Sequence, residues 1–415
     1  MSKNNKNKLV QTLRFPEFAK EDDWVVKPLN KLGKLVNGLT YSPDDVKESG
    51  LLVLRSSNIQ NGEIVLDDNV YVRTDVKGVN LSEPNDILIC VRNGSKALIG
   101  KNALIPTGMP LCTHGAFMTV FRSDKSKFIF QLFQTTAYAK KVAGDLGATI
   151  NSINGSNFLK YEFLVPKNPE EQNKIADFLS SVDDVIKAER QKLNILQNHK
   201  KGLLQNLLPQ AGETIPKFRF KEFEDSSEWV ESSLTQVADY ENGKAHEQDI
   251  SDDGEFIVVN SKFISQDGEV KKFTNTAFLP ATKGDILMVL SDIPNGKAIA
   301  KCFFVEADNR YTVNQRICRI TPRNVNSKIL YYLLNRNPYF LAFDDGVKQT
   351  NLRKDDVLNC PLLIPEDPKE QEKIAETLSS VDDLINSQNQ KLEALQLHKK
   401  GMLQGLFPNI NDIIE

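Results

Sequence analysis

A chain of 415 residues with 40% apolar and 26% charged side chains can build two or more cores and has the composition of a soluble globular protein. A net charge of −3 excludes a generic polyanion binder. No apolar run approaches the ~18 residues of a membrane span and no signal peptide opens the chain, so a cytoplasmic protein is expected. The five cysteines show no paired spacing, which fits a reducing compartment, and the four histidines show no metal-ligand spacing.

After a polar opening, MSKNNKNK, residues 1–165 read as a first lobe of mixed α/β structure. Strands are predicted over 51–59, 85–92, 97–105 and 112–122, where Val, Ile, Leu and Phe run between Gly, Asn and Pro. A helix is predicted from Lys127 to Ala143, with Phe128, Leu132, Phe133 and Tyr138 on one face. The Gly-rich polar loop GATINSINGSN at 147–157 leads into the last strand. This lobe holds 21 Lys+Arg against 16 Asp+Glu, a local net of +5.

The stretch 166–212 carries a long helix. Asn168 stands at the N-cap, Pro169 at N1, and Glu171 at N3, where its carboxylate is predicted to reach back to the cap. His199, Lys200 and Lys201 place cations near the negative end of the dipole, and Pro209 stops the helix. Roughly 40 residues at about 1.5 Å each make a rod of about 60 Å.

Residues 213–364 form a second lobe in the same order. Strands are predicted near 255–264, 284–291, 297–305 and 311–321, a helix near Ser327 to Phe343, and a polar loop GVKQTNLRKDD at 346–356. Twelve acids fall within 222–255, yet 256–364 returns to 15 basic against 10 acidic residues. Two moderately basic lobes suit local contact with phosphates. RFPEFAKEDDW and RFKEFEDSSEW open the two lobes, so Phe15, Phe18 and Trp24 recur as Phe220, Phe223 and Trp229.

The segment 365–410 repeats the helix. Pro166–Pro209 and Pro365–Pro408 align without a gap at an offset of 199, with 27 of 44 positions identical. Each has a heptad-like apolar seam broken at two matching polar positions, Glu189 and Lys200 in the first, Gln388 and Lys399 in the second. An antiparallel pairing with Glu189 opposite Lys399 would set Lys200 opposite Gln388 and Leu193 opposite Leu395, so that polar breaks meet. That register is the expectation. The predicted class is α+β: two tandem mixed α/β lobes separated by two long helices packed as an antiparallel coiled coil, with an internal pseudo-twofold repeat.

Motifs for chemistry are scarce. PNGKAIA at 294–300 lacks the leading Gly and terminal Ser/Thr of a P-loop. Asn337-Pro338-Tyr339-Phe340 has the flavour of an aromatic methyltransferase loop, but it falls in a predicted helix without a Gly-rich cofactor loop. Asp367-Pro368-Lys369 is better read as a helix start.

The junctions VPKNPEEQNKIADFLSSVDD and IPEDPKEQEKIAETLSSVDD, with their trailing HKKGLLQ and HKKGMLQ, resemble the specificity subunit of type I restriction–modification systems over nearly the whole chain. The resemblance implies two target-recognition domains, 1–165 and 213–364, each reading half of a bipartite site in double-stranded DNA. Helices 166–212 and 365–410 are then spacer and docking platform for methyltransferase subunits, two by expectation, and for restriction/translocase subunits. It also implies that catalysis, with S-adenosylmethionine, ATP and Mg, belongs to those partners, so this chain needs no cofactor. A non-catalytic protein-interaction scaffold is the competing reading, and a freestanding modifying enzyme a third.

Candidate DNA contacts are side chains that hydrogen-bond base edges or phosphates, placed in loops after strands. In the first lobe they are Arg55, Ser56, Asn58, Arg92, Asn93, Lys96, Thr149, Asn151, Ser152 and Asn154. In the second they are Asn260, Ser261, Lys262, Asn295, Lys297, Asn314, Gln315, Arg316, Lys348, Gln349, Thr350, Asn351 and Arg353.

Overall fold

The computed structural model describes residues 13–146, 151–210, 212–294 and 296–408. The chain separates into two compact units, Met1–Arg190 with Gln390–Glu415, and Gln191–Asn389. This division cuts across the linear order of lobe and rod. Each unit takes one lobe, the first half of the helix that follows it, and the second half of the other helix.

The first unit is built on two four-stranded sheets. One has the order Lys34–Asn37, Met118–Arg122, Ile87–Cys90, Asn102–Leu104, all antiparallel. The other runs Cys112–His114, Leu51–Leu54, Val70–Val72, Val46–Lys47, with its first pair parallel. Strands 51–54 and 87–90 are buried along their whole length, which explains their uninterrupted apolar runs. The predicted strand 112–122 is two strands, broken at Gly115. The predicted helix 127–143 is likewise two, Ser126–Leu132 and Thr136–Asp145, the second capped by the Thr135 hydroxyl, which accepts from the Tyr138 amide.

The second unit repeats the plan. Its sheets run Ala238–Asn242, Ile317–Pro322, Ile286–Val289, Cys302–Phe304, and Phe273–Thr274, Phe256–Val259, Tyr311–Val313, Pro280–Ala281. The predicted strand 255–264 ends at Val259 and turns into a helix, Ser261–Ser265, because Asn260 accepts from the Phe263 amide as an N-cap. The predicted helix 327–343 breaks into Ser327–Leu334 and Pro338–Leu341. Asn337 caps the second piece, accepting from the Tyr339 amide at 2.9 Å, and Phe340 is fully buried. The aromatic motif is therefore a helix start.

The long helices are Pro169–Leu207 and Pro368–Leu406. Asn168 and Asp367 cap them as predicted, each accepting a backbone amide at 2.9 Å. Glu171 and Glu370 depart from the predicted cap. Glu171 is 1% exposed and takes a two-pronged bond from Arg14 at 2.8 and 2.8 Å plus one from the Trp24 indole at 3.2 Å. Glu370 takes the same from Arg219 at 2.8 and 2.7 Å and Trp229 at 3.3 Å. Both arginines also hold carbonyls of the loop that precedes the tryptophan. The next residue, Gln172 or Gln371, is buried and donates to the carbonyl of Pro166 or Pro365 at 2.7 Å. The repeated EQ pair is thus a lobe-to-helix latch.

Within each unit the two helix segments run antiparallel, in a register different from the expected one. In the first unit Lys399 meets Asp183 at 2.5 Å, and Glu189 pairs with Lys391 instead of Lys399. In the second unit Lys200 meets Asp382 at 2.5 Å, and not Gln388, which is buried. The offset from expectation is six residues at Lys399 and Lys200 and eight at Glu189. An ammonium on a four-carbon stem reaches an aspartate off the apolar seam, and that aspartate is already anchored by its lobe: Gln131 donates to Asp183 and Tyr332 to Asp382. Leu403, Leu406 and Phe407 join the first lobe's core, and Leu207 and Leu208 the second's.

Candidate nucleic-acid interface

In each unit one edge collects four of the segments singled out in the sequence. In the first, Val91 and Arg92 amides both donate to the Phe117 carbonyl, at 3.0 and 3.1 Å. Arg92 pairs with Ser152 in an antiparallel bridge, and the Ile153 amide donates to Val91. Asn93 donates to the Ser56 hydroxyl at 3.2 Å and accepts from the Ser95 amide at 3.0 Å, while Asn151 donates to the Gly94 carbonyl at 3.0 Å. Arg92 and Lys96 are exposed, with Arg92 lying over the Phe117 ring at 5.8 Å.

The second unit forms the same edge with different side chains. The Leu290 amide donates to the Arg316 carbonyl, the Leu352 amide to Leu290, and Ser291–Asp292 pairs with Thr350–Asn351. Gln349 donates to the Ser291 hydroxyl at 2.7 Å and Gln315 to Glu247 at 2.9 Å. Asp292 gathers the amides of Ile293, Ala298 and Ile299, which shapes the loop bearing the exposed Lys297. The Lys348 and Val347 amides donate to Asp345 and hold its carboxyl below the ordinary range, so this cap stays ionised and keeps the Lys348–Gln349 loop formed.

Close backbone contact sets the turn at the centre of both edges. A Cβ on Gly38 would lie 2.1 Å from the Gly115 carbonyl oxygen, and one on Gly243 2.1 Å from that of Asn314. Only glycine fits at either place.

Several predicted residues have other duties. Asn58 is fully buried, accepts from the Arg55 amide and donates to the carbonyls of Val65 and Asp68, which corrects its reading as a base contact. Thr350 is 6% exposed with its hydroxyl on Asp344, a second correction. Arg55 is half-buried and paired with Asp68 at 2.7 Å. Asn154 and Asn260 spend their carbonyl oxygens as helix caps, and the Arg353 amide is bonded to Asp356. Ser56, Ser261 and Asn314 are half-buried at the edge, whereas Lys262, Gln315, Arg316, Lys348, Gln349, Asn351 and the Arg353 side chain are exposed. Thr149 and Asn295 lie outside the described residues.

Sequence reasoning missed Phe117, Ser291 and Asp292. The helix offset of 199, carried into the lobes, would have found them, since it maps Arg92 on Ser291, Asn93 on Asp292 and Phe117 on Arg316. It also missed Arg14 and Arg219, although each opens a repeated RF pair.

Two lobes of one fold, each with a polar edge of its own chemistry, define a duplicated, two-headed chain. The family profile described as "Type I restriction modification DNA specificity domain" matches residues 21–198 and 226–397, and the chain belongs to this family. The specificity subunit of the type I restriction enzyme EcoKI from Escherichia coli (strain K12) is 30% identical over 196 residues. That match covers 44% of this chain and 42% of the relative, so it spans less than half of that relative's length. The MjaVIII specificity subunit of Methanocaldococcus jannaschii is 25% identical over 423 residues, 95% of this chain and 93% of the relative. The crystal structure of the type I restriction–modification S subunit from M. genitalium matches with a TM-score of 0.62 at 15% identity, over 96% of this chain and 99% of that one, a likeness of fold. No helix among the described residues is long and apolar enough to cross a membrane.

Proposed function

We propose that the chain is the sequence-reading subunit of a type I restriction–modification complex, each lobe recognising one half of a bipartite site in double-stranded DNA through the edge described above. The observation that carries this reading is the shared backbone frame with exchanged side chains: Arg92, Asn93 and Phe117 in one lobe stand where Ser291, Asp292 and Arg316 stand in the other. Two equivalent frames with unlike hydrogen-bonding chemistry suit two unlike half sites. The long helices, 39 residues each or about 58 Å, act as the spacer between readers and as the docking platform for two methyltransferase subunits and for restriction/translocase subunits. Methyl transfer with S-adenosylmethionine, and ATP- and Mg-dependent cleavage, take place in those partners, and this chain performs no chemistry itself.

The test is methylation-sensitive genome sequencing of a strain carrying the complete system, beside duplex binding by the co-purified complex. A split recognition sequence that disappears when this chain is deleted is the expected result. Equal affinity for enriched and random duplexes, with no methylated motif, would leave a protein-interaction scaffold instead.

A further inference from the structure

Phe117 is an aromatic side chain left 58% exposed at the centre of a polar edge. Its place is rigid. Its carbonyl accepts two amides, from Val91 and Arg92, and the turn that carries it closes with the Met118 amide donating to the Gly115 carbonyl at 2.8 Å. The Arg92 guanidinium backs the ring at 5.8 Å. In the second lobe Arg316 holds the same seat: its carbonyl accepts the Leu290 amide, and the Ile317 amide closes the same turn on Asn314 at 2.9 Å. Arg316 is exposed, and among the described residues its side chain has no hydrogen bond or ion pair. The guanidinium thus sits on a different segment in each lobe, at the Arg92 position in the first and the Phe117 position in the second.

A single exposed apolar residue needs no explanation by itself. Two unlike exposed side chains presented from one backbone seat do. An aromatic ring gains by covering apolar surface, and the apolar group in the major groove is the C5-methyl of thymine. A free guanidinium finds its two-pronged match in guanine O6 and N7. Resting on the DNA-reading function proposed above, we propose that Phe117 is a specificity determinant that packs on a thymine methyl in one half site. Arg316, in the equivalent seat, takes a guanine in the other.

The test uses the full chain co-expressed with its modification subunits and the site found by methylome sequencing. Each thymine of both half sites is replaced in turn by deoxyuracil, which removes only the methyl, and each guanine by 7-deazaguanine, which removes only N7. The wild-type complex should lose about fourfold in affinity at one thymine, the worth of one buried methyl group. Phe117→Ala should abolish that sensitivity and Phe117→Leu should keep part of it. Arg316→Ala should abolish the 7-deazaguanine effect at one guanine, in the opposite half site. A Phe117→Ala complex that keeps the uracil sensitivity, or that weakens on all duplexes alike, overturns the proposal, as does a site with no methyl-sensitive thymine. A wild-type complex that prefers no duplex would instead overturn the DNA-reading function itself.

Discussion

Lys399 reaches Asp183 across 2.5 Å, joining the two long helices in the first unit, and the same aspartate accepts from Gln131 of the lobe at 2.8 Å. The repeat copies this three-way lock as Lys200, Asp382 and Tyr332. One carboxylate therefore ties three elements together, and helix register and lobe placement are set by one contact. Asp183→Asn should cost the first unit about 1–2 kcal/mol, the range of a charge-assisted hydrogen bond that keeps some solvent contact. Urea denaturation should show it. A flexible bifunctional thiol reagent should join cysteines replacing Asp183 and Lys399 faster than cysteines replacing Glu189 and Lys399; the reverse order would overturn the register.

The latch at the helix base should matter more. Arg219 and Glu370 are both almost wholly buried, so removing one leaves the other's charge without its partner. Arg219→Met should destabilise the second unit by about 3 kcal/mol. The chain's two tryptophans report the units separately, since Trp24 shares the Glu171 oxygen and Trp229 the Glu370 oxygen. The shift should appear in Trp229 fluorescence of a Trp24→Phe background, and no shift there would refute the latch.

His114 links stability to pH. It is fully buried between the Ser82 hydroxyl at 3.0 Å and the Val36 carbonyl at 2.9 Å, and burial pulls its pKa below the ordinary 6.5. The folded state therefore binds fewer protons than the unfolded chain in the window just below pH 6.5. Its contribution is complete above that value and falls with pH, by at most about 1.4 kcal/mol per unit. His114→Gln should flatten the first unit's stability profile between pH 6.5 and 5.5.

The turn at the centre of each edge leaves no room for a Cβ on the glycine packed against it, Gly38 or Gly243. Gly243→Ala places a methyl 2.1 Å from the Asn314 carbonyl oxygen, so backbone must move at a cost of about 1–3 kcal/mol. The displaced turn carries Gln315 and Arg316. Duplex selection should return a blurred second half site with the first unchanged; an intact second half site would separate the turn from recognition.

Lys348 and Gln349 are neighbours with different expected roles. Lys348→Ala should weaken all duplexes alike and lower the salt slope by about one, the mark of a lost phosphate contact. Gln349→Ala should change base preference, because its amide is held by Ser291 in the paired strand edge. Equal losses on cognate and random DNA for both variants would count against the assignment.

The antiparallel sense of the helices entered as a supposition and through the resemblance, whereas the residues alone carried the duplication, the order of lobe and rod, and the helix caps at Asn168 and Asp367. These follow from periodicity and capping, which act over a few residues and are written locally. The helix register was not legible, because Lys399 and Lys200 reach aspartates off the seam that the lobes have already anchored. Nor was the fate of Asn58 and Asn93, two like side chains in like loops. Folding buries one against Val65 and Asp68 and brings the other to an edge built from strands far apart in the chain. Which polar groups are consumed inside a fold and which are left for a ligand depends on long-range packing, and only the tertiary structure decides it.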